Sequence, residues 1–111
     1  MESEVEMTNS RQKGARGERE VANILKARGY DAHRGQQYSG ANGDADVEGI
    51  PGFHIEVKRT EQFRLWGAID QAKRDAREQE TPVVFHRKNG SQWVAVMELD
   101  DWLDLVEEAR R

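Results

Sequence analysis

The sequence contains no cysteine, which excludes a disulfide framework, a thiolate zinc site and a cysteine nucleophile. No apolar run approaches the roughly 18 residues that a membrane-spanning helix needs. The stretch from Met1 to Ser10 is acidic and polar, without the basic and apolar segments of a secretory signal. Phosphate-binding glycine loops and G-x-S-x-G nucleophile elbows are missing. The three histidines, His33, His54 and His86, are scattered with no metal-ligand spacing between them. These absences point to a soluble, cytoplasmic protein that engages no membrane and carries no small-molecule cofactor.

A net positive charge is lacking as well: 17 Lys and Arg face 21 Asp and Glu, giving −4 at pH 7. Its distribution matters more than its total. Residues 1–10 hold three acids and no base, and residues 98–111 hold six acids and two bases. Residues 11–97 therefore keep fifteen bases against twelve acids. If three of those acids hold a divalent cation, the working surface is more positive than the formal count. The acidity argues against tight non-specific DNA binding by charge alone, but leaves nucleic acid open as a partner.

What is present fits one domain, since typical domains span on the order of 100–150 residues. Residues 1–10 read as a disordered tail and residues 11–111 as a single domain. A helical pattern runs from Arg11 to Arg28, with Ser10 as N-cap and Gly29 as the residue after the C-cap. Residues 35–43 form a loop of glycine and small polar residues. Residues 45–50 and 53–59 read as two strands folded into a hairpin by Pro51-Gly52. A second amphipathic helix follows from Leu65 to Gln79, with Leu65, Ile69, Ala72 and Ala76 on one stripe. Residues 82–87 and 92–97 read as a hairpin around Asn89-Gly90. A closing helix from about Asp100 to Ala109 is expected to bury Trp102, Leu103 and Val106. The fold class is α/β, a central mixed sheet of about five strands flanked by helices.

Several polar residues sit where apolar ones are expected. At about 100° per residue, Val21, Ala22 and Leu25 fall within roughly 60° of Glu18, on the stripe that faces the sheet. A carboxylate there needs a partner or a metal; the alternative is that Glu18 caps the helix and reaches solvent. On strand 53–59, His54, Glu56 and Lys58 share one face. Taken alone, Glu-x-Lys reads as an ordinary solvated strand face. Asp46, ten residues upstream on the paired strand, changes that reading, because the hairpin lets two carboxylates converge. Oxygen ligands with open positions suit Mg²⁺. Asp44 competes with Asp46 for this role but follows Gly43 in the loop, so Asp46 is preferred. His54 borders this face, or is a structural histidine satisfied in the core. Arg34, Gln36, Gln37 and Tyr38 are candidate contacts to phosphates and an unstacked base, or solvated loop residues. Trp66 and Trp93 read as core or dimer-interface residues.

The order Asp-(x)9-Glu-x-Lys after a glutamate-bearing helix resembles the PD-(D/E)XK nuclease superfamily. More narrowly, G-A-R-G-E-R-E-V-A-N-I-L-K-A-R-G-Y (14–30), A-D-V-E-G (45–49) and H-I-E-V-K-R (54–59) resemble archaeal-type Holliday-junction resolvases and their phage-borne relatives. The resemblance spans roughly residues 11–97. It implies a restriction-endonuclease-like αβββαββα core and Mg²⁺ (or Mn²⁺) held by Glu18, Asp46, Glu56 and the Val57 carbonyl. It further implies Lys58 as catalytic lysine, and incision leaving a 5′-phosphate and a 3′-hydroxyl. A homodimer acting on branched DNA in recombination or repair, in a cytoplasmic and phage or prophage setting, follows from the same likeness. Gln71 falls where the family often carries a polar helix residue, or is simply a surface residue. Ser39 matches a loop serine of resolvases approximately, and Ala45 stands where the superfamily has proline. The alternatives are the same nuclease fold acting on flaps, nicked or foreign DNA, and a catalytically silent DNA-binding module.

Overall fold

The computed structural model describes residues 2–35 and 45–111, with side chains from residue 9 onward. Among these residues the order is α1 (Glu2–Ala27), β1 (His33–Arg34), β2 (Val47–Glu48), β3 (Phe53–Arg59), α2 (Leu65–Asp75), β4 (Thr81–Arg87), β5 (Val94–Val96) and α3 (Leu99–Ala109). The strands form one mixed sheet in the order β1-β2-β3-β4-β5. Neighbours are antiparallel except β3 and β4, which run parallel with Ile55 opposite Val83 and Glu56 opposite Val84. Parallel neighbours need a crossover, and α2 supplies it. This is the mixed α/β sheet with flanking helices that the hydrophobic patterning implied.

Strand alternation divides the core into two layers. Ile55, Val57, Val47 and Val83 face α1 and pack on Val21, Ala22 and Leu25. Val84 faces the other way and packs on Ala68, Ile69 and Ala72 of α2. Gly17 lets α1 approach β3 closely: a Cβ there would lie 2.7 Å from the Cβ of Arg59. Gly29, at φ 95°, ends α1 as the spacing predicts. Its N–H donates to the Lys26 carbonyl and that of Tyr30 to Leu25, the paired bonds of a left-handed C-terminal cap. Among the described residues no helix is long and apolar enough to cross a membrane.

Four expectations are corrected. Residues 2–10, read as a tail, continue α1 as helix, and Ser10 lies inside it rather than capping it. No proline or glycine in that stretch breaks a helix. The strand β1 was not visible in the pattern, because two residues carry no periodicity. The second helix stops at Asp75 rather than Gln79: Ala76 is extended, and the Arg77 N–H donates to the Glu80 side chain at 2.8 Å, turning the chain toward Pro82. Finally, α3 buries no residue. Trp102 and Leu103 are exposed and Val106 only half-buried, because the two layers around the sheet are filled before the chain reaches them.

Candidate functional site

Three charged or ionisable side chains are buried among the described residues, Glu18, His54 and Glu56, and they lie at one place. The β2–β3 register puts Val47 opposite Ile55, and the Asp46 N–H donates to the Ile55 carbonyl at 2.9 Å. Asp46 therefore enters the sheet beside Glu56. Its Oδ2 accepts the Val57 N–H at 2.8 Å, and its carboxyl is hydrogen-bonded to Glu56. Glu18 reaches the same place from α1, where Arg34 holds it: the guanidinium Nε and Nη2 both lie 3.0 Å from Glu18 Oε1.

Crowding three carboxylates has an electrostatic consequence. Burial, and then the charge of Glu56, push the Asp46 pKa up from 3.8 to about 7. The Val57 N–H opposes that shift and the more distant charge of Glu18 adds a little to it. A proton shared between Asp46 and Glu56 relieves the repulsion; a divalent cation would relieve it more fully. The donors are all oxygens from carboxylates, the set that hard cations such as Mg²⁺ take while keeping several waters. Val57, whose carbonyl the resemblance assigns to a metal shell, contributes its N–H to Asp46.

Two further expected residues meet here. Lys58 lies on the same face of β3 as Glu56, and its ammonium donates to Gln71 Oε1 on α2 at 2.9 Å. Gln71 thus points inward from the edge of its apolar stripe. Arg34, expected as a DNA contact, is half engaged with Glu18 and half open to solvent. Gln36, Gln37, Tyr38, Ser39 and Asp44 lie outside the described residues. Trp93 is partly buried against the α1 layer and donates its indole N–H to Glu20 at 2.8 Å, whereas Trp66 is exposed and belongs to no core.

Sequence reasoning left His54 open and missed its neighbours. The His54 ring is 2% exposed, and its Nε2 lies 2.7 Å from Glu56 Oε1. Its Nδ1 faces Glu80 at 3.9 Å, and ligand atoms of His54, Glu56 and Asp75 lie within 4.8 Å of one another. Burial alone lowers the imidazole pKa, but the carboxylates of Glu56, Glu80 and Asp75 together outweigh it and raise the pKa above its ordinary value. A signal for Asp75 existed: it stands four residues after Gln71, on the same helix face. A cavity of about 800 Å³ opens behind this cluster and is lined by His54, Arg74, Asp75, Arg77 and Glu80 among others. Set against known proteins, the chain matches no family model and no curated sequence.

Proposed function

We propose that the chain is a Mg²⁺-dependent endonuclease that hydrolyses phosphodiester bonds in branched DNA, with a four-way junction as its substrate. The observation that carries this reading is the hydrogen-bonded Asp46–Glu56 pair, with buried Glu18 beside it and Lys58 two residues along the same face of β3. Asp46 and Glu56 would hold the cation directly, and Glu18, the weakest influence on Asp46, would complete its surroundings. A bound Mg²⁺ would supply a water of lowered pKa and neutralise charge on the scissile phosphate. Lys58, held by Gln71 at 2.9 Å, places a positive charge against the negative charge that develops on the phosphate oxygens. Arg34 keeps Glu18 oriented toward the pair and leaves a partly exposed cation at the rim of the site.

A four-way junction presents two equivalent strands, which a two-fold homodimer would meet with two equivalent sites. The uncovered apolar stripe of α3, Leu99, Trp102, Leu103 and Val106, supports such a dimer. With this substrate the protein would work in the cytoplasm, in recombination or repair of host or phage DNA. The test is cleavage in Mg²⁺ of an immobile junction in competition with linear duplex of the same arm sequence, with incisions mapped on all four strands. Paired cuts near the crossover are expected. Equal cutting of duplex and junction would keep the nuclease and discard the junction as substrate. No metal-dependent cutting of junction, duplex, flap or nicked DNA would leave a DNA-binding module.

A further inference from the structure

Glu56 is held from two sides. On one side it shares a hydrogen bond with Asp46; on the other, His54 Nε2 lies 2.7 Å from its Oε1. Residues 54 and 56 are two apart on one strand face, roughly 7 Å along the strand, so the imidazole must lie along β3 to make this contact. The ring is itself fixed. It is 2% exposed, and its far nitrogen, Nδ1, faces the Glu80 carboxylate at 3.9 Å with Asp75 close by. Flanked by carboxylates on both edges, the ring presents an N–H to Glu56 rather than a lone pair.

The need for such a donor follows from the crowd in front. Asp46 brings its carboxylate against Glu56, with the charge of Glu18 acting on Asp46 as well, and like charges favour any rotamer that swings one of them away. A flexible glutamate loses entropy when pinned, and a donor from behind supplies the opposing interaction. We propose that His54 is a positioning residue that donates its Nε2–H to Glu56 Oε1 and so holds that carboxylate in the orientation that receives the divalent cation. This rests on the reading of Asp46 and Glu56 as a metal site. The imidazole acts through Glu56 and touches neither metal nor DNA. Partners of this kind are typically worth roughly 10- to 100-fold in metal affinity.

The experiment is Mn²⁺ binding to the full chain, followed by titration calorimetry without DNA, with thermal melting of each metal-free variant alongside. Glu56→Gln tests the site itself and is expected to bind Mn²⁺ much more weakly than the parent. His54→Leu is expected to weaken binding roughly 10- to 100-fold at unchanged stoichiometry. His54→Gln carries an amide N–H₂ that can reach the same oxygen, and is expected to recover most of that loss. His54→Ala leaves a ring-sized space beside the cavity behind residues 54, 75 and 80, and added imidazole is expected to restore its affinity. If His54→Leu does not fold, the Gln variant and the imidazole titration decide. Parent-like affinity in His54→Leu, with Glu56→Gln still defective, overturns the role of His54 alone. A Gln variant as weak as a folded Leu variant, with no rescue by imidazole, overturns it too, since the ring would then matter only as packing. A parent that binds no Mn²⁺, or a Glu56→Gln variant that binds as the parent does, removes the metal site and this inference with it.

Discussion

At the scale of single residues, the site is a problem in charge repulsion. Asp46 is held near a pKa of about 7 by burial and by Glu56, well above its ordinary 3.8. A folded-state pKa raised in this way adds stability that is complete below about pH 4 and is lost as pH rises through about 7. The metal-free chain is therefore expected to melt at progressively lower temperature between about pH 4 and pH 8. Asp46→Asn should flatten that part of the profile and melt above the parent at pH 8, while Mg²⁺ should restore the parent there by mass action. A parent profile unchanged by the Asn substitution would place the perturbed carboxyl elsewhere. The same variant, and Glu56→Gln, should lose nicking of plasmid in Mg²⁺ altogether. Lys58→Ala is expected to cut roughly 10²- to 10³-fold more slowly if its ammonium meets the developing phosphate charge, with Gln71→Ala affected less, because the amine keeps its charge. Glu18 stood out in the sequence on the apolar stripe of the first helix, and Asp46, Glu56 and Lys58 on the strands of a hairpin, but only the resemblance joined the four into one site. His54 was only half legible, since Glu80 and Asp75 arrive beside it through the crossover, a contact between distant segments that no local pattern encodes.

At the scale of elements, the position of Glu18 depends on how closely α1 lies on β3. Gly17 permits that approach, for a Cβ there would come within 2.7 Å of Arg59 Cβ, whereas one at Gly14 would meet nothing within 4 Å. Both glycines lie in the same helix, so their intrinsic cost to it is alike. Gly14→Ala is expected to stabilise the chain by about 0.5–1 kcal/mol through helix propensity. Gly17→Ala gains the same propensity but must push α1 off the sheet, and should instead destabilise by about 1–3 kcal/mol. Urea unfolding of the two variants separates the effects, and equal stabilisation by both would mean that α1 has room to spare over β3. Interior element types were readable from period and turn residues: β3, β4 and α2 follow their alternation or stripe, and Gly29 marks the end of α1. Boundaries were less so. Residues 2–10 looked like a tail because their composition is polar, yet no proline or glycine in that stretch interrupts the helix. The end of α2 was set by a side-chain bond between Glu80 and the Arg77 N–H, invisible to a hydrophobic pattern.

At the scale of the whole molecule, α3 does not fit the chain by itself. Leu99, Trp102, Leu103 and Val106 recur at the spacing of one helical stripe, and the sequence read the last three as a face toward the core. The pattern marks an apolar face, but none of its residues is buried. Apolar stripes left open on a small polar domain mark association surfaces more often than chance exposure. Under the two-fold reading of the site, the covering surface is a second copy of this chain. The chain is therefore expected to sediment as a dimer, with the monomer appearing only on dilution. Trp102 is 50% exposed, so Trp102→Glu removes no contact within the described core. It should shift the equilibrium toward monomer while leaving the metal-free monomer's unfolding, measured at high dilution, unchanged within about 0.5 kcal/mol. Mn²⁺ affinity should also survive, because Glu18 on α1, Asp46 just before β2 and Glu56 on β3 all come from one copy. Paired incision of a junction should be lost and replaced by single nicks, since one copy carries one site. A chain that sediments as a monomer at about 100 μM, well above the range of most specific dimers, would end the two-fold reading. Paired incision would then have to come from two independent binding events, and the cut strands of one junction would no longer be correlated.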